Sequence, residues 1–309
     1  MGAYEVLVAL ADIFVLLIPG YIFAKKKILN EEHMNGITSL VLNLTTPCII
    51  IESLQMERSM GIIRNSAMVI ASMAAVILLS FLLSQAIKPI VKLDDKKVYI
   101  FTYMMIFSNT GFIGIPVSQA LYGQEGVFYA ALSDSLCNIF IFTVGIILMQ
   151  KATGKKVRQN YRELLSPGLV AIIVGIIFFL ANVTLPEIVA APVHTIGSMT
   201  TPLAMLIVGY QFGKTPLKDV FTDKDGFVLS VGKLLVVPAV CLMLVKLVFP
   251  EMSVFVKEII LMAAMPAAAC SVIFAKKYGA DTEYATKGVV VSTLLSLITI
   301  PVIAILLEL

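Results

Sequence analysis

The residues best suited to bind a ligand lie in one short stretch, Ser108 to Pro116, which reads SNTGFIGIP. Three small polar residues, two glycines and a proline interrupt a segment that is otherwise apolar from about Val98 to Tyr122. Glycine and proline disfavour a continuous helix, so we expect the backbone to break here. In hydrocarbon, unpaired peptide groups are tolerated only where they are buried in protein or line a wet cavity. The stretch is therefore a candidate binding site.

The chemistry of such a break favours an anion. A broken helix exposes backbone N–H groups at the start of its second half, and the helix dipole there attracts negative charge. Asn109 and Thr110 add side-chain donors without adding charge, so the site can hold a carboxylate. The alternative is a simple proline kink at Pro116, with Gly111 and Gly114 serving close helix packing.

Two ionisable residues lie deep in other apolar segments. Asp134 is roughly 12 Å deep at about 1.5 Å per residue, so its carboxylate should face the protein interior and have a partner. It either binds a proton or sodium ion coupled to substrate, or holds a helix pair together, and Asn138 lies one turn further along the same face. Lys233 either extends to the interface, pairs with an acid or attracts an anionic substrate.

Composition sets the class of protein. The chain has 309 residues, 59% of them hydrophobic and 14% charged, and a mean hydropathy of +0.96. A soluble globule cannot bury that much apolar surface, so the sequence predicts an integral membrane protein with the lipid bilayer as its surroundings. The net charge of +3 is concentrated in loops and gives no support to nucleic-acid binding.

Motifs for other chemistry are absent from the sequence. The four cysteines form no CxxC pair or Cys/His cluster, so neither a disulfide framework nor a metal site is indicated. The sequence contains no GxxxxGK, HExxH or GxSxG motif, which argues against an enzyme and against an intrinsic ATP-driven pump. We therefore expect no cofactor, apart from a coupled H⁺ or Na⁺.

Ten apolar segments are long enough to span a bilayer as helices, which takes about 20 residues each. The sequence thus predicts an all-α integral membrane fold with ten transmembrane helices. The predicted spans are approximately 4–23, 34–54, 65–87, 98–122, 126–149, 164–182, 189–212, 227–249, 255–276 and 284–307.

The distribution of positive charge predicts the orientation. Odd-numbered connections between the spans hold eighteen of the 23 Lys and Arg residues, and even-numbered connections hold three. Short cytoplasmic loops carry the excess of Lys and Arg. We therefore expect a multi-pass protein of the cell (inner) membrane with both termini outside the cytoplasm.

Recurring motifs indicate two halves. Thr-Thr-Pro begins at Thr45 and again at Thr200, an offset of 155, and Tyr-Gly begins at Tyr122 and Tyr278, an offset of 156. These offsets predict five-span repeats, residues 1–150 and 151–309. Because five is odd, the second repeat is inverted relative to the first, as in many secondary transporters.

The second repeat should contain a counterpart of the first break. Pro266, among small residues in the ninth segment, marks its expected place. However, Pro116 precedes its Tyr-Gly pair by six residues and Pro266 precedes its pair by twelve, so the two prolines are not at equivalent positions.

Four stretches together resemble motifs of the auxin efflux carrier family in its shorter bacterial form: SNTGFIGIP, LNLTTPCII, TPLAMLIVG and MPAAACSVIFA. The resemblance implies two inverted five-helix repeats with broken helices four and nine crossing each other. It also implies scaffold and transport domains, each drawn from both repeats, and an elevator movement related to that of bile acid/sodium symporters. Members carry organic anions, such as auxin in plants and malate or malonate in bacteria.

The resemblance also implies the site residues. The matching motifs imply ten substrate-binding residues, at the crossing of helices four and nine and in the adjoining pocket. They are Asn109, Thr110, Gly111, Pro116, Pro266, Ala267, Cys270, Ser271, Asn43 and Thr46. Asp134, Asn138 and Lys233 would support ion coupling.

The expected function is secondary transport, by efflux or exchange, of small organic anions such as dicarboxylates or auxin-like acids. Two alternatives remain open: a sodium-coupled symporter of the bile-acid type, and a membrane sensor that binds organic acids without transporting them. A scaffold that stays fixed while another domain moves makes a homodimer plausible.

Overall fold

A computed structural model describes residues 2–56, 59–91, 93–154, 166–214, 224–249 and 251–308. Within these ranges the regular structure is helical and no β-strand forms. The α-helices of the first half are α1 (Ala3–Val15), α2 (Leu17–Lys25), α3 (Glu31–Leu40), α4 (Thr46–Ser53), α5 (Met60–Val91), α6 (Lys97–Ile106), α7 (Ile115–Phe140) and α8 (Ile146–Lys151). Those of the second half are α9 (Pro167–Ala181), α10 (Glu187–Ser198), α11 (Thr200–Lys214), α12 (Lys224–Val231), α13 (Val237–Val248), α14 (Val254–Ala263), α15 (Cys270–Tyr278) and α16 (Thr282–Glu308).

Seven helical stretches in the described ranges are long and apolar enough to cross a membrane. They are Ala3–Lys25, Glu31–Ser53, Met60–Val91, Thr110–Lys151, Glu187–Lys214, Lys224–Val248 and Thr282–Glu308. Shorter helices occupy the remaining predicted spans: α6 in the fourth, α9 in the sixth, and α14 with α15 in the ninth. The all-helical membrane architecture is confirmed, while the ten-span inverted repeat stays a prediction.

Three helices contain a π turn that comes directly before a proline. The π turns Val41–Thr45, Thr110–Gly114 and Gly232–Val236 are followed by Pro47, Pro116 and Pro238, each at the second residue of the next α-helix. Proline has no N–H and its ring clashes with the carbonyl four residues earlier, and a wider turn relieves that clash. Pro116 therefore widens its helix locally without breaking it.

The boundary between predicted spans four and five differs from expectation. Helical structure continues from Thr110 to Lys151, and the chain bends at Gly123, whose φ of 59° and ψ of −142° are not helical. Gly279, in the other Tyr-Gly pair, ends α15 with a φ of 80°. Both pairs thus use glycine where the backbone needs a positive φ, which other residues rarely adopt.

Small residues hold the first and seventh predicted spans together. α2 packs along α11, and at Gly20 and Gly209 the backbones come so close that a Cβ would overlap the carbonyl oxygens of Leu206 and Leu17, respectively. Close backbone approach through small residues is the usual way that membrane helices associate. This contact makes a rigid pair of the two spans.

We expect Gly209→Ala to lower the unfolding free energy of the purified protein by about 1 to 3 kcal/mol, because the added methyl group overpacks this contact. Gly36→Ala is the matched control, since Gly36 lies in α3 with open space where its Cβ would be. That change should be neutral or stabilising. Melting temperatures in detergent compare the two, and equal values would contradict the assigned packing.

Part of the topology prediction rests on residues outside the described ranges. These are the cations Arg58, Lys92, Lys155, Lys156, Arg158, Arg162 and Lys218. The orientation of the termini therefore stays a prediction.

Candidate functional site

Two helix breaks, in the fourth and ninth predicted spans, meet inside the protein. The N–H of Asn109 donates to the carbonyl of Pro266 at 2.7 Å, and the N–H of Ala268 donates to the carbonyl of Phe107 at 3.0 Å. These bonds form an antiparallel bridge between Ser108 and Ala267. The first break thus lies at the start of SNTGFIGIP, ahead of Pro116.

The bridge also accounts for the mismatch between the two prolines. Ser108 and Ala267 are 159 residues apart, close to the offsets of 155 and 156 between the other motifs. Pro266 lies next to its bridge residue, whereas Pro116 follows its own by two helical turns. The breaks therefore correspond to each other although the prolines do not.

Asn109 begins the helix that follows the first break. Its Oδ1 accepts from the N–H of Phe112 at 3.3 Å, as expected of an N-cap residue. The side chain is 5% exposed, and its Nδ2 donor has no partner among the described residues. That donor is available to a ligand.

Asp134 is bonded directly to this stretch. The Thr110 hydroxyl donates to Asp134 Oδ1 at 2.5 Å, and Asn138 Nδ2 donates to Oδ2 at 2.8 Å. A Cβ placed on Gly111 would lie 3.4 Å from Asp134 Oδ1. The half-buried carboxylate thus has the partner that its depth requires, and it fixes the stretch after the break.

A double-mutant cycle measures this link. We expect Thr110→Val and Asp134→Ala to show a coupling of about 1 to 3 kcal/mol in unfolding free energy, because each removes the same half-buried hydrogen bond. Thr143→Val is the control partner, since the Thr143 hydroxyl bonds to the carbonyl of Ile139 in its own helix. Equal coupling of both threonines to Asp134 would contradict the assigned bond.

Lys233 holds the end of the helix that precedes the break. Its side chain is 0% exposed, and its Nζ donates to the carbonyls of Met105 and Ile106 at 2.8 and 3.2 Å. These are the last residues of α6, whose carbonyls lack helical partners because the helix stops. Lys233 therefore neither extends to the interface nor pairs with an acid; it places a buried amino group beside the break.

The ninth-span break has fewer side-chain partners. The N–H of Ala267 donates to Ser292 Oγ at 3.2 Å, and Cys270 Sγ lies 3.3 Å from the hydroxyl of Tyr103. The hydroxyls of Ser108 and Ser271 are buried and have no hydrogen-bond partner in the described part of the chain. Buried hydroxyl groups without a protein partner are expected to form hydrogen bonds with water or a ligand.

A cavity of about 410 Å³ lies close to the breaks. It begins at a charged end with Glu31, Lys214 and Lys276, and it reaches Phe112 and Ala269, which flank the two breaks. Lys214 pairs with Glu31 at 3.1 Å. This volume suits a small organic molecule. A second cavity of about 500 Å³ lies between α5 and α13 and touches neither break.

Two predicted site residues lie elsewhere. Asn43 is exposed, and its Nδ2 donates to the carbonyl of Ser39 at 2.7 Å. Thr46 is buried. Neither lines the cavity, to which their span contributes Met34, Asn35 and Thr38, and the predicted residues at the two breaks lie near the cavity without lining it.

Sequence reasoning missed Ser292 and a buried pair, Glu258 and Ser118. Glu258 is 0% exposed, and its Oε1 lies 2.6 Å from the Ser118 hydroxyl. The depth argument applied to Asp134 would have found Glu258, because an acid within an apolar span needs a partner. Ser292 carries no comparable signal, since serine is common in membrane helices.

Comparison with known proteins agrees with this architecture. The sequence profile described as membrane transport protein matches residues 5–163 and 156–304. An uncharacterized transporter of Methanothermobacter thermautotrophicus is 25% identical over 307 residues, 97% of each chain. An uncharacterized transporter of Methanocaldococcus jannaschii is 24% identical over 298 residues, 93% of this chain and 94% of the relative. The chain therefore belongs to the membrane transport protein family, the auxin efflux carrier family that its motifs resemble.

Proposed function

We propose that this protein is a secondary carrier of small organic anions, with its binding site where the two helix breaks meet. The observation that carries the proposal is the backbone bridge between Ser108 and Ala267, close to a cavity that reaches Phe112 and Ala269. Irregular backbone at membrane depth is tolerated where it lines a cavity, and transporters place their substrate sites at such breaks.

The groups around the bridge favour an anion. Asn109 offers its free Nδ2 donor, and α15 presents the positive end of its dipole at Cys270. Lys233 adds a positive charge behind the break, and Lys276 lies on the cavity wall. Hydrogen-bond donors at the start of a helix suit a carboxylate. We therefore propose dicarboxylates and auxin-like acids as the transported substrates.

The packing supports an elevator movement. α2 to α4 pack mainly with α9 to α11, and α5 to α8 pack mainly with α12 to α16, while α1 lies between the two sets and packs mainly on α7 and α16. The cavity lies along the boundary, with walls from α3 and α11 on one side and from α15 and α16 on the other. We assign the first set as scaffold and the second as the moving transport domain, which would carry both breaks.

Lys233 favours this carrier over a sodium-coupled symporter. In many transporters the carbonyls at the end of a broken helix coordinate the coupling sodium ion. Here the ammonium of Lys233 contacts the carbonyls of Met105 and Ile106 instead. Because Lys233 Nζ already occupies the carbonyls that would coordinate sodium at the first break, we expect transport to proceed without sodium.

A ligand screen followed by a flux measurement tests the proposal. Malate, malonate, aromatic acids and bile acids are compared by thermal shift, with and without sodium and at two pH values. A true substrate at about 100 times its Kd stabilises the folded protein by about 2.7 kcal/mol. We expect an organic anion to stabilise the protein without sodium and to cross liposome membranes that contain it. Binding without flux would indicate the sensor, and dependence on sodium would indicate the symporter.

A further inference from the structure

We propose that Glu258 is a proton-binding site of this carrier and that it holds its proton in the conformation described here. Glu258 lies on α14, ahead of the ninth-span break, and contacts Ser118 on α7, beyond the fourth-span break. It thus links the two interrupted spans at a point separate from the bridge. The group differs from Asp134, which has two side-chain donors of its own.

The hydrogen count at Ser118 favours a protonated acid. Ser118 Oγ lies 2.8 Å from the carbonyl oxygen of Gly114 and 2.6 Å from Glu258 Oε1. A hydroxyl has one hydrogen to donate, and a carbonyl can only accept. If Glu258 is neutral, its O–H donates to Ser118 and Ser118 donates to Gly114, so both contacts are hydrogen bonds. An ionised Glu258 would leave one of them unmade.

The burial of Glu258 also favours the protonated acid. Glu258 is fully buried, and its Oε2 has no hydrogen-bond partner among the described residues. A buried carboxylate is costly unless it is paired and fully hydrogen-bonded. With one hydroxyl as its hydrogen-bond partner in the described part of the chain, Glu258 meets neither condition as an anion. The neutral acid costs far less free energy to bury than the carboxylate.

No described side chain supplies the missing positive charge. Ser118 is the side chain that Glu258 contacts, and Tyr122, one turn further along α7, lies within electrostatic reach of both Glu258 and Glu308. Lys257, the neighbouring residue, pairs with Glu308 at 2.9 Å. The other ionisable residues on the helices packed against α14 make no hydrogen bond or ion pair with Glu258: Arg64, Lys88, Glu125, Tyr129, Asp134, Cys137, Cys241, Lys246, Glu283, Tyr284 and Lys287.

The position of Glu258 gives the proton a way to follow transport. Glu258 and Ser118 both lie in the part of the protein assigned as the transport domain, so they move with the site, and a position of that domain that opens the site to water can also hydrate their contact. The O–H bond of Glu258 then breaks, the proton passes to water and the carboxylate stays behind. Before water is excluded again, Glu258 takes up a proton from water. This cycle rests on the proposed carrier function and would couple one proton to each turnover.

Infrared spectroscopy tests the protonation without any substrate. We expect the purified protein at neutral pH to show the C=O band of a protonated carboxyl group, and Glu258→Gln to lose it. Glu251→Gln, a change in the exposed turn before the same helix, should keep the band. Ser118→Ala, which removes the proposed acceptor, should shift the frequency of the band, so the test stands even if Glu258→Gln folds poorly. A band that survives Glu258→Gln unchanged would overturn the proposal.

Transport in liposomes tests the coupling, with malate as the probe. An imposed proton gradient should stimulate malate movement by the wild type and by Glu251→Gln, and Glu258→Gln should lose that stimulation. Gradient-stimulated transport by Glu258→Gln would overturn the coupling role. A wild-type protein that moves no organic anion would instead overturn the proposed function, and the infrared band would still decide the protonation of Glu258.

Discussion

Asn109→Asp is expected to abolish organic-anion binding and transport while leaving the protein folded. Aspartate caps a helix about as well as asparagine, so the bond from the N–H of Phe112 is kept. The new negative charge, however, replaces a free donor beside the substrate carboxylate. Two like charges about 4 Å apart repel by about 4 kcal/mol at an effective dielectric constant of about 20. That corresponds to a loss of affinity of roughly a thousandfold.

The measurement pairs a thermal-shift titration with flux in liposomes. Asn182→Asp is the matched control, because Asn182 is exposed and ends α9 in a left-handed conformation that aspartate also tolerates. Asn109→Ala should likewise lose transport, and it should cost about 1 kcal/mol of stability through the lost cap. A well-folded Asn109→Asp or Asn109→Ala protein with unchanged transport would refute the assigned site.

Lys233→Met should reduce transport more than tenfold. The change removes two charge-assisted hydrogen bonds to the carbonyls of Met105 and Ile106, each worth about 1.5 to 3 kcal/mol, and it removes the positive charge behind the break. The loss of stability should be smaller than the two bonds suggest, because a buried ammonium also costs several kcal/mol to desolvate. The effect should therefore be larger on transport than on melting temperature.

Lys246→Met provides the comparison on α13, which directly follows the π turn that contains Lys233. Lys246 is exposed near the end of α13, so its loss should alter neither transport nor melting temperature. Malate affinity, melting temperature and flux are measured on both proteins. Wild-type flux in Lys233→Met would show that the buried charge has no part in transport.

The helices and the interruption in the fourth span were accessible from sequence because each depends on local composition. Apolar runs mark the helices, and small and polar residues in SNTGFIGIP mark the interruption. The position of the break within that stretch was not accessible. It is determined by the pairing of Ser108 with Ala267, a contact between distant parts of the chain, whereas Pro116 is absorbed by a π turn.

The partners of the deep polar groups were also only partly predictable from the sequence. Asp134 and Asn138 are one turn apart, so their shared face follows from helix geometry. Lys233 bonds to main-chain carbonyls, which every residue possesses, so no side-chain pattern could reveal its partners. Asn43 and Thr46 were placed in the pocket by resemblance alone, and the cavity instead uses residues one to three turns earlier in their span.

The bridge between Ser108 and Ala267 also has a consequence for how the protein is made. The carbonyl of Phe107 and the N–H of Asn109 find their partners in Ala268 and Pro266, respectively, which are synthesised much later. Until then these groups need water or temporary partners, because hydrocarbon offers none. The fourth span should therefore settle at its final depth only after the ninth has been inserted, and a chain truncated before Pro266 should leave it open to quality-control proteases.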